Sequence, residues 1–268
     1  MKHWIVGAIA ALAMSGAAQA ADVIKMAVTT SFNNSGLADV LLPQIAADLD
    51  LDVQLLVVGT GQAIKLGESG DVDAILVHSR KAEEAFVDAG FGSHRTEIMY
   101  NDFVFIGPKS DPAGIASSGA ATEALSAIAD KESDFVSRGD DSGTHKKELS
   151  LWGEAGLDPA EFGDWYNAVG AGMGAALNTA SGMPAYVMSD RASWLKFGNK
   201  DGMSILFEGD PAMFNQYAYL PVNPARYDHI KAGAAARLED WLVSERAEVL
   251  INGYRVADEQ LFTFNAER

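Results

Sequence analysis

Short apolar segments alternate with helix-forming segments along this chain, and this alternation restricts the possible folds more than any other feature. Residues 23–28 and 53–58 read as strands, and each is followed by a polar or glycine-rich loop that leads into a helix. Residues 72–77 form a third predicted strand, which comes after the second helix. Such alternation is typical of an α/β fold with a parallel sheet.

Two extended apolar segments, residues 100–108 and 217–222, interrupt the alternation. The first ends in a Gly-Pro pair, which is a common signal for the end of an extended segment. Because strand and helix patterns resume between them, we interpret both segments as crossings between two lobes. The sequence therefore predicts a discontinuous lobe 1 (residues 21–104 and 217–268) and a lobe 2 (residues 105–216).

The first twenty residues have the three-part layout of a secretory signal peptide. A short basic start precedes an apolar stretch over residues 4–14, and small residues lead to Ala20. This stretch is too short to span a bilayer, and no later segment approaches the ~20 apolar residues that a transmembrane helix needs. We therefore expect residues 1–20 to be removed and the rest to be a soluble periplasmic chain without membrane insertion.

Composition excludes several kinds of chemistry. The chain has no cysteine, which rules out disulfides, thiolate ligands and a lipid anchor on cysteine. After loss of residues 1–20, 19 basic and 37 acidic residues remain, for a formal charge of −18. This charge argues against nucleic acid, whose phosphates are bound by clustered Lys and Arg. An anion site in such a chain has to be local and enclosed, because net charge governs solubility and long-range steering instead.

One loop combines several features of an anion site. Arg138, Ser142, Gly143 and Thr144 lie between a predicted strand, residues 135–137, and a predicted helix. The first turn of a helix presents unpaired backbone N–H groups and a partial positive charge, which together attract anions. The hydroxyl groups add donors, and the arginine adds a permanent charge with a planar donor fork. The alternative is that a side chain of this loop only caps the helix.

Two further loops occupy the equivalent place after predicted strands. One carries Thr29, Thr30 and Ser31, and the other carries Thr60 between two glycines. Each by itself is also explained as a turn or a helix cap. In open α/β sheets ligands bind outside the carboxyl ends of the strands, so three such loops would meet at one cleft. Capture at nanomolar concentrations needs about 12 kcal/mol against roughly 1.5–3 kcal/mol per charge-assisted hydrogen bond, so several donors are required.

Catalytic interpretations have less support in the sequence. His145 has no second histidine at the spacing of a zinc helix, and His78, His94 and His229 lack ligand spacing as well. The Gly-x-Ser-x-Gly motif of a nucleophile elbow does not occur. We therefore expect a protein that is not an enzyme, with no catalytic residue, no directly coordinated metal and no cofactor. An exported hydrolase and an adhesion protein are the alternatives, which turnover of an ester or exposed aromatic patches would reveal.

Residues 137–148 read Ser-Arg-Gly-Asp-Asp-Ser-Gly-Thr-His-Lys-Lys-Glu and form the most specific motif of the chain. With it, the sequence resembles the periplasmic tungstate-binding proteins of ABC transporters, the TupA-type family. The similarity runs through nearly the whole chain after residue 20. The shorter segments that share it are residues 58–63, 100–104, 172–174, 185–186, 190–191 and 222–224.

This resemblance implies an α/β fold of the type II periplasmic-binding-protein kind, with two lobes, a hinge and a ligand cleft between the lobes. The implied function is capture of tungstate, or molybdate, for the membrane permease of an ABC transporter. Both ions are dianions of nearly the same size, so the sequence does not separate them. Carried over position by position, the ligand-contacting residues are Thr29, Thr30, Ser31, Thr60, Arg138, Ser142, Gly143, Thr144 and Arg191.

Phosphate is the alternative ligand. The order of residues from Arg138 to Thr144 is also similar to the phosphate-binding branch of these proteins, in which an aspartate accepts the proton of the ligand. A carboxylate that faced the pocket would favour a protonated oxyanion and repel a fully deprotonated one. We predict that Asp140 faces away from the pocket and orients Arg138 or the loop.

Overall fold

The structure, a computed structural model, describes residues 22–140 and 142–267. The expected signal peptide at residues 1–20 lies outside this part of the chain, as does Asp141. No helix within the described ranges has the length and apolar character needed to cross a membrane. The strands are β1 (Asp22–Thr29), β2 (Leu51–Val58), β3 (Ala74–Val77), β4 (Thr96–Pro108), β5 (Phe135–Ser137), β6 (Tyr166–Ala168), β7 (Tyr186–Asp190), β8 (Met203–Phe207), β9 (Phe214–Pro221), β10 (Arg255–Val256), β11 (Glu259–Gln260) and β12 (Thr263–Phe264). The helices are α1 (Thr30–Ser35), α2 (Leu37–Leu49), α3 (Thr60–Ser69), α4 (Arg80–Asp88), α5 (Ala121–Asp130), α6 (Gly143–Glu154), α7 (Met173–Gly182), α8 (Arg191–Lys196), α9 (Ala232–Leu242) and α10 (Glu245–Gly253).

Lobe 1 is built on β2, β1 and β3, which run parallel in that order, and β9 pairs antiparallel with β3. Every residue of β3 is buried, as expected of a strand covered on both faces. α2, α9 and α10 pack on one face through a cluster that includes Leu41, Leu238 and Ile251. α3 and α4 cover the other face around Ile64 and Phe86. Such a sheet offers its strand ends, rather than its faces, to a ligand.

Lobe 2 repeats this plan with β7, β5 and β6 as its parallel strands. α5 and α6 cover one face around Leu125 and Trp152. α7 and α8 cover the other face around Leu177 and Trp194. Each lobe therefore has apolar cores of its own, which is what two structural units require.

β4 joins the two lobes. Its residues 96–102 pair with β9, and from Phe103 onward it pairs with β7 and β8 instead. β9 is the second connection and lies beside β4 in the same sheet. The expected α/β fold, with two lobes joined by extended segments, is confirmed. The boundaries at residues 104–105 and 216–217 stay a prediction.

Two details differ from the expectation. The sheet is not parallel throughout, because β9 runs antiparallel to β3 and β4 runs antiparallel to β7. These strands carry the chain from one lobe to the other and back, so they are not bound to the direction that strand–helix–strand units impose. In addition, the predicted polar loop after β1 is the short helix α1. It begins at once because the Oγ1 of Thr29 accepts a hydrogen bond from the backbone N–H of Phe32 at 3.3 Å.

Candidate functional site

The carboxyl ends of the parallel strands of lobe 1 lie side by side. Thr29 at the end of β1 pairs with Val58 at the end of β2, and β3 lies in register on the other side of β1. The residues that follow these strands are Thr30, Gly59 and His78. The loops with Thr29 and Thr60 thus meet at one edge, as the sequence predicts, and His78 joins them there.

Ser31 is the centre of a hydrogen-bonded cluster at this edge. Its Oγ lies 3.0 Å from the Oγ1 of Thr29, 3.1 Å from the Nε2 of His78 and 3.1 Å from the phenolic oxygen of Tyr217. Thr29 and Tyr217 are buried, whereas Ser31 is exposed and His78 is half-buried. The hydroxyl of Ser31 is therefore accessible to solvent and is hydrogen-bonded to polar groups on or directly after three strands.

His78 is held as a neutral imidazole. Burial lowers its pKa to about 4, and hydrogen bonds to its own backbone and to Asn215 oppose this only in part. Its ring lies against that of Tyr217, with the centroids 4.8 Å apart. Because the ring is neutral at pH 7, it has one N–H donor and one acceptor nitrogen.

The lobe 2 part of the site is the loop between β5 and α6. The Oγ of Ser142 accepts a hydrogen bond from the backbone N–H of His145 at 3.3 Å and so caps α6. The Nη1 of Arg138 donates to the Oγ1 of Thr144 at 3.4 Å. The capping interpretation of this loop is thus confirmed for Ser142. A cap does not exclude an anion site, because the remaining N–H groups of the first turn still point out of the helix.

Asp140 is the partner of Arg138. Its Oδ2 accepts hydrogen bonds from the Nε of Arg138 at 3.1 Å and from Nη2 at 2.5 Å, and its Oδ1 accepts one from the backbone N–H of Ser142 at 3.2 Å. Burial raises the pKa of Asp140, but the hydrogen bonds from Ser142 and Arg138 outweigh it, so that the pKa is lowered overall. These contacts are those expected of a residue that orients Arg138 and the loop, and the direction in which Asp140 faces the pocket stays a prediction.

The two parts of the site meet across the cleft. A Cβ atom built on Gly143, at the start of α6, would lie 3.6 Å from the Cε1 of His78. The glycine itself lacks this atom, so the start of α6 in lobe 2 lies close to His78 in lobe 1, with room for about one carbon atom between them. This approach brings the first turn of α6, with Arg138 beside it, next to the cluster of Thr29, Ser31 and His78.

Thr30 and Thr60 lie at the rim of this edge. Thr30 is the first residue of α1 and is exposed, and Thr60 is the first residue of α3 and is half-buried. Both follow strands that are neighbours in the sheet, since β1 pairs with β2. The structure therefore places both threonines on the cleft side of lobe 1.

Arg191 does not lie with these residues. Its guanidinium donates to both carboxylate oxygens of Asp102, from Nε at 2.7 Å and from Nη2 at 2.6 Å. Neighbouring side chains on a strand point to opposite faces. Asn101 points towards the candidate site, because it accepts a hydrogen bond at 2.8 Å from Asn215, which also contacts His78. Asp102 and Arg191 are thus on the other face of β4, and this position does not support the predicted ligand contact of Arg191.

A buried carboxyl group lies below the lobe 2 loop. Glu148 on α6 accepts a hydrogen bond from the hydroxyl of Tyr166 at 2.6 Å, and its pKa is raised to about 7 by burial. Trp165 and Tyr166 are partly buried and pack against the apolar cluster of α5 and α6. Both side chains therefore pack against α6, the helix that follows the Arg138 loop, rather than forming a surface for a ligand.

Donors dominate the cleft side of the site. The guanidinium of Arg138, the first turn of α6 and the hydroxyl groups suit an anion with several acceptor oxygens. Within residues 22–140 and 142–267, no group of three or more His, Cys, Asp and Glu side chains is arranged to hold a metal ion.

Sequence reasoning missed two residues of this site, His78 and Tyr217. The spacing of the histidines indicates no metal site, but His78 directly follows the buried strand β3, at the strand ends where Thr29 and Thr60 also lie. Tyr217 lies on a crossing strand, Phe-Asn-Gln-Tyr-Ala-Tyr-Leu-Pro, which contains no motif. Position at the carboxyl end of a strand would have identified the histidine, whereas no local signal identifies the tyrosine.

Comparisons with known proteins agree with this architecture. The family model described as a PBP superfamily domain matches residues 15–246. The tungstate-binding protein TupA of Peptoclostridium acidaminophilum is 44% identical over 254 residues, which are 93% of this chain and 88% of that protein. The structure of the tungstate-binding protein TupA from Desulfovibrio alaskensis G20 is 44% identical, with a TM-score of 0.89 over 92% of this chain and 100% of that one.

A second solved structure, the tungstate ABC transporter protein from Geobacter sulfurreducens, is 46% identical with a TM-score of 0.75, over 88% of this chain and 100% of that chain. Both likenesses span most of this chain and the whole of the solved chains. This chain belongs to the PBP superfamily and, within it, to the TupA family of binding proteins.

Proposed function

We propose that this chain is an extracytoplasmic solute-binding protein that captures tungstate or molybdate between its lobes and delivers it to the permease of an ABC transporter. The observation that carries the proposal is the close approach of Gly143 to His78, which brings the arginine-bearing loop of lobe 2 next to the hydroxyl cluster of lobe 1. Relatives named as tungstate-binding proteins, 44% and 35% identical, support the choice of ligand.

The proposed ligand contacts come from both lobes. Thr29, Thr30, Ser31 and Thr60 contribute from lobe 1, and to these we add His78 as the support of Ser31. Arg138, Ser142, Gly143 and Thr144 contribute from lobe 2. A single arginine supplies a fraction of the roughly 12 kcal/mol that nanomolar capture requires, so the enclosure by two lobes and the sum of neutral donors have to supply the rest.

Hydrogen-bond counting indicates how Ser31 is prepared for an anion. A serine hydroxyl has one proton and accepts at most two hydrogen bonds. If Tyr217 and the Nε2–H of His78 both donate to Ser31, both acceptor positions of Ser31 are taken, and its own proton goes either to the Oγ1 of Thr29, 3.0 Å away, or to a ligand. In both cases the proton of Thr29 is available, because its oxygen is the acceptor for Phe32 and Ser31 has no acceptor position left. This arrangement makes the lobe 1 side a surface of donors.

The same counting favours a fully deprotonated ligand. Monohydrogen phosphate carries a proton that needs an acceptor in the site, whereas tungstate and molybdate at neutral pH carry none. Both oxygens of Asp140 already accept hydrogen bonds from Arg138 and Ser142, and its lowered pKa keeps it ionised. Because the Asp140 carboxylate already accepts these hydrogen bonds, it gives monohydrogen phosphate little advantage over tungstate as a ligand.

The decisive experiment is calorimetric titration of the chain from residue 21 onward with tungstate, molybdate, phosphate and sulfate at one pH. We expect tight one-to-one binding of tungstate, silence with phosphate and sulfate, and a measured rank for molybdate. Heat with phosphate alone would move the chain to the phosphate-binding branch. Absence of heat with all four anions would overturn the proposal.

Export is part of the proposal. Substrate-binding proteins of ABC transporters act outside the cytoplasm, and the layout of residues 1–20 is that of a signal peptide. We expect the mature protein in the periplasmic fraction with Ala21 at its N-terminus, as read by mass spectrometry of the intact chain. A full-length chain confined to the cytoplasm would contradict this.

An exported hydrolase is the second candidate, because the Oγ of Ser31 and the Nε2 of His78 lie 3.1 Å apart, as in a nucleophile and its base. The pKa of His78 argues against it. An imidazole with a pKa of about 4 holds a proton too weakly to act as a general base near pH 7. Turnover of p-nitrophenyl esters that is lost in the Ser31→Ala variant would establish the hydrolase instead.

A further inference from the structure

Arg191 is the first residue of α8 and lies in the middle of a group of carboxylates. Besides the two-pronged contact with Asp102 in the hinge strand β4, its Nη2 donates to Glu208 at 2.5 Å, and its Nη1 lies 3.5 Å from Glu259. The hydrogen bond to Asp102 raises the pKa of Arg191 further above its already high value, and burial opposes this only in part. The guanidinium therefore fixes the start of α8 to the hinge.

The other end of α8 reaches lobe 1. The Nζ of Lys196 donates to the backbone carbonyl of Asn34 at 2.6 Å and lies 3.4 Å from that of Ser35. These carbonyls form the end of α1, the helix that begins directly after Thr29 and carries Ser31. Between the two contacts, Ala192 is buried in the main apolar cluster of lobe 1. A helix that belongs to lobe 2 thus rests on the ligand loop of lobe 1.

The two faces of the hinge strand β4 have different neighbours. Asn101 lies on the face where it contacts Asn215 of β9, which in turn contacts His78. Asp102, the next residue, holds Arg191 on the opposite face. A change at Arg191 can therefore reach the ligand only through the position of α8, the hinge strand and the loop that carries Ser31.

We propose that Arg191 is a positioning residue for oxyanion capture, which clamps α8 to the hinge and so holds the two lobes in the arrangement that binds the ligand. This rests on the proposed function for its ligand, but the clamp itself is a property of the described contacts. When the binding-competent arrangement is only partly populated, the apparent affinity falls by that fraction. Loss of the clamp should therefore weaken affinity without removing any ligand contact.

The test compares variants at the clamp with one at an unrelated ion pair. Arg191→Met removes the guanidinium, and Asp102→Asn removes its main partner while keeping the shape of the side chain. Arg237→Met is the control, since Arg237 pairs with Asp22 on an exposed part of lobe 1. The chain has no cysteine, so spin labels on Gln54→Cys and Glu154→Cys, both at exposed positions, report the distance between the lobes in each background.

We expect Arg191→Met to weaken tungstate binding about tenfold, mainly through faster dissociation, and to broaden the interlobe distance distribution with and without the anion. Asp102→Asn should reproduce both effects, and the double variant should add little, because both remove one interaction. Arg191→Lys should restore part of the affinity. Arg237→Met should change neither measurement.

Two results would overturn the inference. One is a loss of affinity in Arg191→Met with an unchanged distance distribution, which would make Arg191 a direct ligand contact. The other is an unchanged affinity and distance in both Arg191→Met and Asp102→Asn, which would leave the ion pair without a role in closure. If the wild-type chain binds no oxyanion, the proposed function fails, yet the distance measurements without ligand still decide whether Arg191 clamps the lobes.

Discussion

Arg138 and Arg191 are buried to nearly the same extent, with 18% and 15% of their side chains exposed, yet their surroundings differ. Arg138 pairs with Asp140 and has the hydroxyl of Thr144 and the first turn of α6 beside it. Arg191 has three carboxylates around it, from Asp102, Glu208 and Glu259. An anion that approached Arg191 would meet surplus negative charge. The partners of a buried arginine, rather than its burial, thus indicate whether it serves a ligand or the fold.

The largest effect should come from the arginine at the cleft. Arg138→Ala leaves the captured anion without its formal countercharge, so we expect tungstate affinity to fall by about 4 kcal/mol, roughly a thousandfold. Ser142→Ala, which removes one neutral donor and the cap of α6, should cost about 1 kcal/mol in binding and about 1 kcal/mol in stability. Titration calorimetry measures the tungstate affinity of each variant, and urea unfolding measures the loss of stability in Ser142→Ala. Equal losses from the two variants would contradict the central place of Arg138.

The next effect concerns Glu148, the buried carboxyl below the cleft loop. Its pKa is about 7 in the folded chain against 4.5 for an ordinary glutamate, so the folded state holds a proton that the unfolded state releases between these values. The stability that this proton contributes is present below pH 4.5 and is lost as the pH rises through 7. A shift of this size corresponds to about 3 kcal/mol, of which we expect roughly 2 kcal/mol to be measurable.

Glu148→Gln isolates this contribution. Urea unfolding at pH 5 and pH 8 should show the wild type losing about 2 kcal/mol relative to the variant. His78 acts in the opposite direction, since its pKa of about 4 makes the folded chain lose stability as the pH falls from 6.5 towards 4. The difference between wild type and variant cancels the histidine contribution. Parallel curves at all pH values would show that Glu148 does not titrate in this range.

Much of the cleft side could be predicted from the sequence, because its residues follow strands directly. Their position marks Thr29, Thr60 and the loop after β5 as candidates, with a turn or helix cap as the alternative for each, and the order of strands and helices suffices for the fold class. His78 shares the position, although its spacing from the other histidines indicates no metal site. The sequence pattern therefore predicts the position of a site residue when that residue lies at the end of a strand in a parallel sheet.

The back of the hinge, which is Arg191 with the carboxylates of Asp102, Glu208 and Glu259, could not be predicted in this way. Arg191 also follows a strand, β7, and the sequence offers no reason to separate it from Arg138. Its separation follows from the antiparallel pairing of β7 with β4 and from the side to which Asp102 points, and the sequence pattern specifies neither. Glu208 and Glu259 come from distant parts of the chain, so their meeting at one guanidinium has no local signal.

A smaller effect tests the partner of Arg138. Asp140→Asn keeps the shape of the side chain but weakens the hydrogen bonds that orient Arg138 and Ser142. We expect tungstate affinity to change by about 1 kcal/mol or less, since removal of a nearby negative charge offsets the looser geometry. Selectivity over phosphate should persist, as measured by titration with both anions. A variant that loses tungstate selectivity and gains none for phosphate would show that Asp140 does more than orient the loop.

The smallest effect should come from the outermost carboxylate at Arg191. Glu259 is 53% exposed and its oxygen lies 3.5 Å from the guanidinium, so water and salt screen the pair. We expect Glu259→Gln to change the free energy of unfolding and the tungstate affinity by no more than about 0.5 kcal/mol. Asp102, 14% exposed and bound at two points, is the matched contrast in the same cluster. If Glu259→Gln weakened binding as much as Asp102→Asn, the surplus of carboxylates, and not the grip on the hinge strand, would be what distinguishes the back of the hinge from the cleft.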